Sequence, residues 1–301
     1  MRRNVLVWLG LLAFAPLLWA EKPKTDKPNT PTPEAEYQAL VKEYENAQQE
    51  FFKLYREAKT PGERDKLYKE KYPNPDKYAD RFIALAKKYE KQPVAADALA
   101  WVLTNSRGFG AEAEKKRTEI IDVLIADHLQ SEKLAKVCES LAYNQSPAGE
   151  KLLRATLEKS KSPEVQAWAC FSLALYLKNL SGTVAQIKTE ASAAQRVEQF
   201  YGKDIAGKLR ERDAGKLSKE SEDLFQRVID KFADVKRYPN APAEYAKMTL
   251  GKAAEGELFE IRHLAIGKTA PEIEAEDIDG KKFKLSDYRG KVVMIDFWGH
   301  W

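Results

Sequence analysis

The sequence is poor in cysteine and histidine, with two cysteines and three histidines in 301 residues. So few cysteines exclude a disulfide-dense scaffold and a cysteine-rich zinc site, and three scattered histidines predict no metal site. We expect no bound cofactor. Only the N-terminus carries an apolar run long enough to suggest contact with a membrane, so a protein with several membrane spans is excluded as well.

The sequence also lacks a large excess of either positive or negative charge. Lys and Arg total 50 against 46 Asp and Glu, a formal net charge of +4, and the two signs are interspersed. This balance predicts no nucleic-acid partner. With 44% hydrophobic and 32% charged residues the composition is that of a globular protein, and the length predicts about two domains.

The first twenty residues have the pattern of a secretory signal peptide. A basic start, Met1–Asn4, precedes the apolar run Val5–Trp19, and Ala20 offers a small residue for cleavage. The run is shorter than the ~20 residues of a spanning helix, although an uncleaved anchor stays open because Trp19 is bulky. We therefore expect export to the periplasm or another extracytoplasmic location, with membrane attachment only if this segment stays uncleaved. Residues 21–33 hold four prolines and predict a linker.

Residues 34–262 are predicted to form an α-helical domain. Tyr37, Leu40, Tyr44 and Phe51 recur at helical spacing and place one apolar stripe on the first helix. A Pro that follows a capping or polar residue marks further helix starts. These starts are Thr60-Pro61, Gln92-Pro93, Ser146-Pro147, Ser162-Pro163 and Ala241-Pro242.

The helices carry only a weak repeat signal. Pro93–Trp101 and Pro163–Phe171 share an Ala- and Trp-containing pattern, and Leu224–Phe232 followed by Tyr238–Pro242 resembles part of a tetratricopeptide helix pair. No strict period runs through the region, so an irregular helical bundle or solenoid is favoured over a true repeat array. Glycines within 181–220 predict shorter or interrupted helices there.

The residue pattern changes near position 264. Asp279-Gly280 is a strong hairpin-turn signal, and Phe283 and Leu285 alternate with lysines as in a half-buried strand. Val292–Trp298 is almost continuously apolar, which is typical of a central strand covered on both faces. A second domain, of α/β type, is therefore predicted for residues 264–301.

These C-terminal residues resemble the opening of a redoxin domain. The thioredoxin-like family concerned includes exported thiol-disulfide reductases and the alkyl hydroperoxide reductase/thiol-specific antioxidant proteins. The segments that carry the resemblance are Ile266–Pro271, Asp279-Gly280, Leu285–Lys291 and Val293–Trp301. It covers only the last three dozen residues, and the flanking pair Trp298 and Trp301 is closer to the reductase type.

The resemblance implies roles for two residues and places the reactive thiols outside the sequence. Asp296 matches a buried acidic residue of the family that is thought to accept the proton of the second thiol. The alternative interpretation is that Asp296 is simply a polar residue at the end of a strand. Trp301 matches the Trp that flanks the first reactive cysteine. The family's Cys-x-x-Cys would follow Trp301, so we expect a fragment of a longer protein and no redox activity from the 301 residues alone.

Cys138 and Cys170 lie on apolar stripes of predicted helices. They are expected to be small core residues, and a structural disulfide between them is left open. Neither has the spacing or cationic neighbours of a reactive thiol, so catalysis by either is not expected.

The sequence as a whole predicts a mainly α protein whose last strands begin a thioredoxin-like domain. The implied function is exported thiol-disulfide oxidoreduction of the antioxidant type, with protein thiols, protein disulfides or a redox protein as partners. The alternative is a non-catalytic secreted module whose helices bind a protein partner.

Overall fold

The computed structural model describes residues 31–299 except 107, 109, 145, 240, 241, 243, 244, 246 and 266. The predicted signal segment 1–20, most of the predicted linker and Trp301 therefore lie outside the described residues. The described helices are α1 (Pro33–Glu57), α2 (Pro61–Lys71), α3 (Pro75–Lys88), α4 (Pro93–Asn105), α5 (Ala111–Asp127), α6 (Leu134–Leu141), α7 (Pro147–Lys159), α8 (Pro163–Thr189), α9 (Ala191–Tyr201), α10 (Lys203–Arg210), α11 (Ala214–Phe232) and α12 (Leu250–Phe259).

Local sequence signals explain where most of these helices begin. Six of them start with Pro, whose missing N–H is not needed at the first helical position. Thr60 and Glu63 form a capping box at α2, and Ser146 and Ser162 cap α7 and α8 through their side chains. The helix starts predicted before residue 200 are confirmed.

The core is built around α8, the longest of the described helices. It contacts α6, α7, α9, α10, α11 and α12. Its buried side chains include Leu173, Tyr176 and Leu177, and Phe171 meets Phe225 of α11 with ring centroids 5.9 Å apart. A second aromatic group joins α1, α3 and α4, where Phe82 stacks on Trp101 at 3.9 Å. This packing confirms a mainly α-helical fold.

One expectation within the helical region is confirmed in part, and another is corrected. The short helices α9 and α10 are separated at Gly202, as the glycines predicted. α8, however, runs through Gly182 to Thr189 without interruption, because fifteen of its residues are buried and this packing outweighs the cost of one glycine. The helix expected at Ala241-Pro242 lies partly outside the described residues. Pro242 and Tyr245 are not helical, and α12 begins only at Leu250, capped by the side chain of Thr249.

After α12 the chain forms one π-helical turn, Glu260–Leu264, and then a small hairpin. Strands β1 (Glu274–Glu276) and β2 (Lys282–Lys284) pair antiparallel, with Ala275 opposite Phe283. The fold class is thus confirmed as helical, followed by the first strands of an α/β unit. The central strand expected at Val292–Trp298 is not formed, because the described residues offer it no neighbouring strand with which to share a hydrogen-bond ladder.

Candidate functional site

The hairpin is organised by the carboxylate of Asp277. Its Oδ1 accepts hydrogen bonds from the backbone N–H groups of Asp279 at 3.0 Å and Lys281 at 2.9 Å, and its carbonyl accepts from Gly280 at 3.0 Å. Gly280 has φ = 77°, a left-handed conformation that Gly adopts without steric cost. The Asp279-Gly280 turn signal is therefore confirmed, and Asp277 is the residue that closes the turn.

Two further carboxylates attach the hairpin to the turn that follows it. Asp287 accepts from the N–H of Lys284 at 2.9 Å. Glu272 accepts from the N–H of Ser286 at 3.0 Å, and its hydrogen bonds with Ser286 lower the pKa of the Glu272 carboxyl below its ordinary value. Phe283 meets Tyr288 edge-to-face at 6.3 Å. The segment is thus a self-contained β-turn-β unit fastened by side-chain-to-backbone bonds.

The apolar run beyond this unit is exposed. Val292 and Met294 are more than nine-tenths exposed, and Phe297 and Trp298 are more than four-fifths exposed. Asp296 lies among them and is also exposed, so the apolar surroundings that its implied role requires are not formed by the described residues. The role of Asp296 as a proton acceptor therefore stays a prediction. Trp301 lies outside the described residues, as does His300.

The two cysteines lie far inside the helical core. Cys138 on α6 and Cys170 on α8 are both fully buried free thiols, so the disulfide left open by the sequence is not formed. Burial raises the pKa of each thiol to about 12. A thiol with so high a pKa supplies almost no thiolate at neutral pH, and the thiolate is the attacking species in disulfide exchange.

The two described histidines, His128 and His263, do not share a site. His128 ends α5 and is buried, whereas His263 is exposed and lies against Phe259 at 4.9 Å. Across the part of the chain that the structure describes, no group of three or more His, Cys, Asp or Glu side chains could hold a metal ion.

The helical region contains an open cavity that the sequence did not indicate. About 540 Å³ in volume, it lies between the end of α4, α6 and the end of α9. Lys136, Tyr143 and Phe200 are among its lining residues, and Tyr143 is 68% exposed. No local signal could have identified this cavity, because its walls come from helices that are distant in sequence.

Comparison with known proteins finds similarity over the C-terminal residues. Residues 266–301 match the AhpC/TSA family. Thiol-disulfide oxidoreductase ResA of Geobacillus thermodenitrificans is 47% identical over 38 residues, which are 13% of this chain and 22% of that protein. ResA of Geobacillus kaustophilus is 50% identical over 38 residues, again 13% of this chain and 22% of that protein. ResA of Bacillus subtilis is 49% identical over 35 residues, which are 12% of this chain and 20% of that protein.

The C-terminal segment is therefore redoxin/thioredoxin-like, as its motifs indicated. The chain spans about a fifth of the length of the curated relatives it matches. No solved structure matches the chain. Among the described helices none has the length and apolar character needed to cross a bilayer.

Proposed function

We propose that the protein is a thiol-disulfide oxidoreductase of the redoxin type, exported from the cytoplasm, that acts on protein thiols or disulfides. The observation that carries this proposal is the match of residues 266–301 to the AhpC/TSA family, together with the high identity to three ResA proteins over the same segment. The formed Asp279-Gly280 hairpin supports it, because this turn is one of the motifs of the resemblance.

The redox chemistry is assigned to a Cys-x-x-Cys pair at the position that follows Trp301. Cys138 and Cys170 are unsuited to it, since both are buried and have a raised pKa. In the proposed reaction one thiolate of the pair attacks a substrate disulfide, and the second thiol resolves the mixed disulfide. Two protein thiols are released, and the Cys-x-x-Cys pair becomes the disulfide.

The test has two arms that use the same insulin-reduction assay. The 301-residue chain is expected to give only background turbidity, and its thiols are expected to react with Ellman's reagent only after denaturation. A chain extended through the coding sequence after the Trp301 codon is expected to reduce insulin and to lose this activity when the added cysteines become Ser.

The matched control is the extended chain with Cys138→Ser and Cys170→Ser, which should keep its activity. A coding sequence with no cysteine pair after Trp301 would contradict the proposal. So would insulin reduction by the 301-residue chain that survives both of these substitutions.

A second candidate function is a protein-binding role for the helical region, favoured by the open cavity between α4, α6 and α9. An exposed Tyr143 beside Lys136 offers both apolar and polar contacts to a peptide. If this role is correct, Tyr143→Ser should abolish recovery of a specific partner by the full chain, whereas Tyr245→Ser, at another exposed tyrosine, should not. Equal recovery by both variants would exclude the cavity as the binding site.

A further inference from the structure

An aromatic cluster lies where α1 ends and α2 folds back on it. Phe51 is its centre and is only 3% exposed. The rings around it, with centroids 5.4 to 6.2 Å from that of Phe51, are Phe52, Tyr55, Tyr68 and Tyr72. We call residues 51–72 the basic aromatic tip.

The outer side of this cluster is open to solvent. Phe52 is 50% exposed, Tyr68 56% and Tyr55 36%. Tyr68 stacks on Tyr72 at 4.7 Å, and the guanidinium of Arg64 lies 5.8 Å from the Tyr55 ring, so the exposed rings are held in place. Three large aromatic side chains are thus partly exposed close to one another, around the buried ring of Phe51.

Helix α2 has no buried face of its own. None of its eleven residues is buried, and its packing is against α1. A helix of this length is marginal in water without tertiary packing. Here the capping box of Thr60 and Glu63 and the contacts of Tyr68 with the aromatic cluster are what hold it. Apart from Leu67 and Tyr68, α2 is polar on all sides, so most of its surface is left to solvent or to a charged ligand.

The tip also concentrates the positive charge of the chain. Residues 51–71 contain seven Lys and Arg and four Asp and Glu, a net charge of +3, whereas the whole chain carries +4. The seven cations are Lys53, Arg56, Lys59, Arg64, Lys66, Lys69 and Lys71. Among the described residues, no ion pair involves a side chain of the tip. All seven cationic groups therefore lack an acidic partner.

We propose that the basic aromatic tip binds the surface of an anionic phospholipid bilayer. Unpaired Lys and Arg side chains are attracted to anionic headgroups, and amphipathic aromatic rings favour the depth of the bilayer interface. The partly exposed rings of Phe52, Tyr55 and Tyr68 favour a bilayer surface over an acidic peptide as the ligand of the tip. A bilayer interface accommodates aromatic rings as well as cations, whereas an acidic peptide would be bound mainly through the cations.

The test is flotation of the full chain with vesicles of phosphatidylcholine alone or with about a third phosphatidylglycerol. We expect binding to the anionic vesicles at about 0.05 M salt and strong weakening at about 0.5 M salt. The double variant Lys66→Glu/Lys69→Glu should bind at least about tenfold more weakly, and Tyr68→Ser should weaken binding at both salt concentrations.

The matched control is Lys231→Glu/Lys252→Glu, which makes the same change in net charge at exposed positions of α11 and α12. It should bind like the unmodified chain. Equal binding by the tip and control variants would overturn the proposal, because the bilayer would then be held elsewhere, for instance by the apolar run Val5–Trp19. Absence of binding to anionic vesicles, or capture of an acidic protein by the tip without vesicle binding, would overturn it as well.

Discussion

His128 ends α5 with its side chain buried and its Nε2 atom without a hydrogen-bond partner. Burial lowers the pKa of its imidazole, and the neighbouring charge of Asp127 opposes this only in part. The folded state therefore favours neutral His128, while the unfolded state binds a proton more readily. This contribution to stability is fully present above the ordinary histidine pKa of 6.5 and is lost as the pH falls below it.

At the residue scale we thus predict that the free energy of unfolding falls between pH 7 and pH 5, and that His128→Gln reduces the slope of this fall. Urea denaturation followed by circular dichroism at several pH values measures it. The control is His263→Gln, the same substitution at an exposed position, and His128→Gln should change the slope more than this control does. An unchanged slope in His128→Gln would show that other groups carry the pH dependence.

The residue scale also accounts for the burial of the two cysteines, Cys138 and Cys170. Their apolar neighbours at helical spacing predicted burial, and both are buried. Whether two buried thiols meet is not encoded by spacing along the chain, because it depends on how α6 and α8 pack against each other.

At the scale of elements, the approach of α12 to the end of α11 depends on Gly251. A Cβ atom at this position would lie 2.7 Å from the Cα and 2.8 Å from the carbonyl oxygen of Ala233. Both are backbone atoms that cannot move aside without shifting a helix end. Gly256, in the same helix, has open space around the corresponding position.

We therefore predict opposite effects for two glycine substitutions in one helix. Gly251→Ala should lower the free energy of unfolding by about 1–3 kcal/mol through overpacking. Gly256→Ala should raise it by up to about 1 kcal/mol, since Ala has the better helix propensity. Chemical denaturation of both variants checks this, and equal stabilisation by the two would mean that α12 does not pack so closely.

At the scale of the whole molecule, a network of charges joins helices that are distant in sequence. Glu150 on α7 pairs with Arg154 at 2.8 Å and with Arg212 at 3.0 Å, and Arg154 reaches Glu220 on α11 at 2.6 Å. Burial by itself would raise the pKa of Glu150, but hydrogen bonds from Arg212 and Arg154 outweigh it and hold this pKa below its ordinary value.

A carboxyl with a lowered pKa stabilises the fold above its unfolded-state pKa, and this stabilisation is lost as the pH falls through the folded-state value. We predict that Glu150→Gln lowers the free energy of unfolding at pH 7 by about 2 kcal/mol, with a smaller loss at acid pH. Asp223→Asn, in the exposed pair with Lys219, is the control and should change stability little. If Glu150→Gln lowered the free energy of unfolding equally at pH 7 and at acid pH, the stabilising role of the ionised Glu150 carboxylate would be contradicted.

Local signals in the sequence determined the mainly helical character, most helix starts and the Asp279-Gly280 turn, because Pro, capping residues and a left-handed Gly act within a few residues. Only the tertiary structure determined that Val292–Trp298 forms no strand. Its apolar pattern predicts a central strand, but the described residues supply no neighbouring strand to pair with it. Tertiary packing likewise decided that the thiols stay free, and it brought together the charge network and the basic aromatic tip. These features depend on which helices meet, and such meetings are determined by burial over the whole core and not by any one stretch of residues.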